Sequence, residues 1–184
     1  SHALLCAVYD HLLSLFPFVI DLVRDLGPDN SAGRKALDEP PLRVAPFFRM
    51  CSFCAANGAT SSNDLAALPQ AYCIQDAHHW EVDETKLEMV RFWYTAATSP
   101  SQTPSPALSV ASSPATFKRL LDSFVSLRPT DRFLRYNREM LPHFYGLLRA
   151  VLASPAGEPC RQVLLSHRNW DWAIKYVLVE SSDY

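Results

Sequence analysis

Apolar residues recur along this chain at the spacing of a helix. From Leu4 they fall at Leu5, Val8, Leu12, Leu15, Phe16, Val19, Leu22, Val23 and Leu26, mostly in steps of three and four. That recurrence keeps one helix face apolar, whereas a strand would alternate. Gly27-Pro28 closes the run. Pro17 lies inside it and removes one intrahelical hydrogen bond, which predicts a kink near Leu13 or a split into two helices. A polar connection over 28–41 leads to a shorter helix over 45–56, where Pro46 fits the first turn. The loop-like "NGATSSNDLAALPQ" separates it from a helix over 82–98, opened by Asp83 and Glu84. Those two acids and Glu88 read as a helix start and its solvated face.

The pattern changes at residue 99. Residues 99–113 consist almost wholly of Ser, Pro, Thr, Ala and Gln without charge, a composition that predicts a flexible linker because it buries too little to offset its ordering entropy. Helical periodicity returns with Ser113-Pro114 as cap and first position of "ATFKRLLDSFVSL". Thr130 or Asp131 opens a longer helix with a broad apolar face, from Phe133 and Leu134 to Val151 and Leu152, and Pro142 predicts another kink. Two more helices follow in "EPCRQVLLSH" and "NWDWAIKYVLVE", the second capped by Asn169. The expectation is an all-α chain of stacked helical hairpins, an α-solenoid fragment of the armadillo or HEAT kind. Its N-terminal helical segment spans 1–98 and its C-terminal one 114–184, on either side of the 99–113 linker.

Composition narrows the function classes. With 184 residues and 48% hydrophobic content the chain can bury a core. Its 17 Lys and Arg against 19 Asp and Glu create no basic field, so nothing calls for a nucleic-acid partner. "LLSLFPFVIDLV" is too short and too interrupted to cross a bilayer, and no signal-peptide pattern precedes it, which predicts no membrane partner and an intracellular location. Five scattered cysteines do not form a secreted disulfide framework. The start without Met and the end on "VLVESSDY" lead us to expect a piece of a longer protein.

The candidate chemistry lies in "CSFC". Cys51, Cys54, Cys73 and His78, or His79, give C-x2-C, an eighteen-residue gap and a nearby His, a set that could hold tetrahedral zinc. Against this, Cys51 and Cys54 share the helix over 45–56 at i, i+3, and Phe47, Met50 and Phe53 are expected to surround them as core residues. Buried core thiols are therefore the favoured reading, with no metal and no cofactor. Cys-dependent catalysis could pair Cys54 or Cys160 with His11, His78, His143 or His167, but no local motif fixes a pair, so no catalytic residue is assigned. The chain has no G-x-S-x-G, no phosphate loop, no H-E-x-x-H, and five glycines in all.

Residues 132–184 carry a more specific pattern. "FL-x-YN-x-x-MLP-x-FY-x-LL" runs from Phe133 to Leu148, and "H-x-N-x-x-WA" follows at His167, Asn169, Trp172 and Ala173. This stretch resembles the helical region C-terminal to the catalytic domain in the giant ubiquitin-specific proteases of peptidase family C19, the fat-facets-like group and its large relatives. That family's cysteine box, GL-x-N-x-GNTCYMNS, and its histidine box ending in GHY have no counterpart here: no Cys follows Gly-Asn-Thr and no GHY occurs. The resemblance implies a parent that is a thiol-dependent deubiquitinase and a segment that acts as a non-catalytic scaffold, cytoplasmic or also nuclear. Its implied partners are other proteins or the parent's own catalytic domain, with ubiquitin met through the parent. Within the last helix Trp170 and Trp172 point nearly opposite ways. Trp172 is the expected core residue, and Trp170 the exposed aromatic and candidate interaction residue.

Overall fold

The computed structural model describes residues 1–19, 45–61, 81–100, 105–125 and 134–167. All regular structure among them is α-helical, with no strand. Helix α1 spans His2–Ser14, α2 Ala45–Ala56, α3 Glu81–Thr98, α4 Pro106–Ala111, α5 Pro114–Val125, α6 Leu134–Ala153 and α7 Glu158–Ser166.

Local chemistry accounts for several of these ends. Leu15 interrupts α1, and residues 16–19 then resume as helix. The backbone N–H of Leu15 is shared between the carbonyls of His11 at 3.3 Å and Leu12 at 3.1 Å, while Pro17 has no N–H to give the Leu13 carbonyl. The chain is thus split two residues before Pro17. Helix α2 ends in a Schellman turn. Gly58 adopts φ 78°, its N–H bonds the Ala55 carbonyl at 3.1 Å, and the Ala59 N–H reaches the Cys54 carbonyl at 3.0 Å. Pro142 lies within the continuous helical backbone of α6.

Helix α3 is the centre of the packing, with α2, α4 and α6 against it, and α1 packs on α2. Helix α7 packs on α5 and on α6. The heart of the molecule is aromatic: Phe16, Phe48, Phe92 and Trp93 are all essentially without exposure. Phe16 meets Phe48 edge-on at 5.4 Å between ring centroids and lies 5.6 Å from Phe92.

The stretch expected as a linker behaves otherwise over its second half. From Ser105 onward it caps and forms α4, with Ala107 and Ala111 completely buried and Val110 nearly so. The linker reading fails there because composition measures how much each residue can bury, not how narrow the gap is that receives it. Small side chains are what allow α4 to lie close to α3, α5 and α6. Its polar atoms are satisfied as well: the Ser105 hydroxyl donates to the Ala96 carbonyl at 2.6 Å and accepts from the Leu108 N–H at 3.4 Å. Residues 101–104 lie outside the described set. The buried core is one cluster that includes Tyr9 and Leu13 as well as Cys160 and Leu164, so the helices on both sides of 99–113 share it.

Candidate functional site

Cys51 and Cys54 sit on the inner face of α2, beside Phe48 and Ala55, and neither has measurable exposure. Burial pushes the Cys51 thiol up to about 12, and the neighbouring Cys54 adds to the effect. Burial likewise raises Cys54, with Cys6 contributing. Burial thus favours the protonated thiol at both positions, whereas a nucleophile must be a thiolate. Cys73, His78 and His79 lie outside the described residues. Among the described residues, no group of three or more His, Cys, Asp and Glu is placed to hold a metal ion.

The structure also disperses the other thiol and imidazole candidates. Cys160 is completely buried on α7 and donates its S–H to the Ser112 carbonyl at 3.1 Å. His11 is exposed on α1. His143 faces Arg91 and Tyr94, and His167 faces Asp122. Neither Cys54 nor Cys160 hydrogen-bonds to any of these three rings. A thiol–imidazole contact that spacing could have signalled occurs instead on α1, where Cys6 Sγ lies 3.5 Å from His2 Nε2 across one turn.

Among the described residues, two ionic clusters join different helices. In the first, Glu88 of α3 is buried, contrary to the solvated face expected for it. Its Oε1 accepts from Arg49 Nε of α2 at 2.9 Å and from Arg91 Nη1 at 2.9 Å, and its Oε2 lies 3.0 Å from the same Arg91 nitrogen. The Nε–H of Arg91 then donates to His143 Nε2 of α6 at 3.3 Å. This chain of contacts ties three helices together. The sequence signal for it was available: Arg91 stands three residues beyond Glu88, the spacing of a helical ion pair, while Leu87 and Met89 beside Glu88 point to burial.

In the second cluster Asp122 of α5 accepts from Lys118 at 2.7 Å and lies 2.8 Å from His167 Nε2, just beyond α7. Burial works to raise the Asp122 carboxyl, but the hydrogen bonds and charges of Lys118 and His167 outweigh it and hold the group below its ordinary value. The pair fastens α7 to α5. A His–Asp contact has catalytic meaning when it serves a nucleophile, and among the described residues no Ser, Cys or Thr side chain is hydrogen-bonded to either imidazole. Trp170 and Trp172 lie outside the described residues.

These helices can be compared with known proteins. A stretch of 150 residues, covering 77% of this chain, is 23% identical to the ubiquitin carboxyl-terminal hydrolase puf of Drosophila melanogaster. The chain is similar to a ubiquitin hydrolase. It spans 4% of that relative's length. The similarity is longer than residues 132–184, which carry the resemblance described above, so it takes in part of the chain before residue 132. No family model matches the chain, and no solved structure matches it.

Proposed function

We propose that this chain is a non-catalytic helical scaffold segment of a large ubiquitin carboxyl-terminal hydrolase, from the region C-terminal to the catalytic domain. It serves protein–protein interaction or supports that domain. The observation that carries the reading is the similarity itself: three quarters of this chain corresponds to a small part of a named hydrolase. The burial of Cys51, Cys54 and Cys160, which pushes each thiol above its ordinary value, supports the non-catalytic part. Helices α1, α2 and α3 pack in chain order, which supports an α-solenoid arrangement. Leu4, Val8, Leu15 and Phe18 leave apolar side chains exposed along α1 and its continuation, as do Met50 and Phe53 on α2, which supports the interaction role. The reading carries with it a cytoplasmic or nuclear location and ubiquitin contact through the hydrolase.

A ubiquitin probe with a C-terminal thiol-reactive electrophile tests the proposal. The chain should remain unlabelled under conditions that capture an active ubiquitin-specific protease. Covalent capture at any of its cysteines would overturn the non-catalytic role.

A further inference from the structure

The seam where α6 lies on α3 is extensive and largely apolar, with a small polar part at its edge. Tyr94 of α3 projects against α6, its ring centroid 5.6 Å from that of His143. Three residues on, Gly146 leaves room for the same ring, and a Cβ there would collide with it. One turn before Tyr94, Arg91 donates through Nε to His143 Nε2 at 3.3 Å. That bond needs the Nε2 lone pair, so the ring that holds the seam is the neutral one carrying its proton on Nδ1.

We propose that the α3/α6 seam is an acid-sensitive latch: protonation of His143 removes the acceptor for Arg91 and loosens the packing of α6 on α3.

The surrounding charges set the direction. Among the described residues, Arg91 and Glu88 on α3 are the charged groups that act on the ring, and Arg49 of α2 joins through Glu88. On α6 itself Glu139 stands one turn before His143 and is exposed. Helix α4 contributes no titratable side chain, and on α7 Glu158 and Arg161 pair with each other, with Arg161 also bonding the Leu152 carbonyl at the far end of α6. Glu88, the one buried carboxylate among the described residues, is already shared by two guanidinium groups. A protonated His143 would be a third cation at one buried acid, and the Arg91 Nε–H would point at a donor.

Burial and then the Arg91 charge hold His143 below its ordinary value of 6.5, with Glu88 offsetting part of this. The unfolded chain therefore takes up a proton at this ring before the folded one does. The stability that the neutral ring contributes is fully present above about pH 6.5 and is lost as pH falls through the depressed folded value. Acid then weakens the contact that joins α1–α3 to α6.

Thermal midpoints of the chain and of His143→Gln, at about pH 7.5 and about pH 5, test the latch, because Gln keeps an acceptor for Arg91 and cannot titrate in this range. The wild-type midpoint should fall between the two conditions by at least about 2 °C more than that of the variant. Equal losses, or a larger loss in His143→Gln, would overturn the proposal. Should His143→Gln fail to fold, NMR titration of the wild-type His143 ring with amide exchange across 91–97 and 143–148 decides it. Exchange should speed up on both helices as the ring titrates below its ordinary value. A ring that titrates at or above that value, or titrates with the seam still protected, would contradict the latch.

Discussion

Two regions of this molecule bury their helices by opposite means. Where α1, α2 and α3 meet, large rings do the packing: Phe16, Phe48, Phe92 and Trp93 fill the space, and Phe16 touches each of the other three. Where α4 lies among α3, α5 and α6, small residues and paired polar atoms take over. Ala107 and Ala111 are completely buried, the Ser112 hydroxyl lies 3.3 Å from that of Ser154, and the Cys160 thiol bonds the Ser112 carbonyl. In the first region stability comes from apolar area withdrawn from water. In the second it comes from close approach of backbones, which demands that each buried polar atom find a partner. The two regions should therefore fail under opposite kinds of substitution.

The largest effect belongs to the aromatic region. Phe48→Ala or Phe16→Ala leaves a cavity where three or four rings met and should cost about 3 to 5 kcal/mol in denaturant melts. In the small-residue region, enlargement is the damaging change. Ala111→Leu has no space to occupy and should cost about 1 to 3 kcal/mol. If Ala111→Leu were neutral, α4 would not be packed as described and the contrast between the regions would collapse. Ser105→Ala sharpens the same point, since it removes the α4 cap and the bond to the Ala96 carbonyl together, for a loss of about 1 kcal/mol. The smallest change is expected at the thiols. Cys51→Ala or Cys54→Ala should alter stability by about 1 kcal/mol and leave the zinc content of protein purified without chelator unchanged. Stoichiometric zinc that is lost with either thiol would instead mark Cys51 and Cys54 as ligands, because a structural zinc contributes about 10 kcal/mol or more to folding.

The same contrast explains what could be read from the residues alone. Helix α2 was legible to its bounds, 45–56, because Pro46 fits its first turn and a loop-like stretch follows it. Its inner face was legible only at Cys51 and Cys54: Met50 and Phe53, read as core neighbours, are exposed, and Phe48 and Ala55 are buried in their place. Helix α4 was not, because Ala107, Val110 and Ala111 look like linker residues until the neighbouring backbones are known. Glu88 was misread for a related reason. A carboxylate on a helix is normally solvated, and its burial here follows from Arg49, which is 39 residues away in sequence. The split of α1 was anticipated, though it falls at Leu15 rather than at Leu13, since the last complete turn ends where the Pro17 nitrogen would have closed the next one. Cys73 and His78, of the disfavoured zinc set, and the interaction candidate Trp170 fall outside the described residues.

The central claim is that the thiols of Cys51, Cys54 and Cys160 are packing groups and not reagents. Pulse alkylation followed by mass spectrometry, on native and on denatured protein, tests it most directly. Cys51, Cys54 and Cys160 should resist a small alkylating reagent in the native state and react once the chain is unfolded, while Cys6, partly exposed on α1, reacts in both. Rapid native-state modification of Cys51 or Cys54 would show an accessible thiolate inside the supposed core and contradict the account.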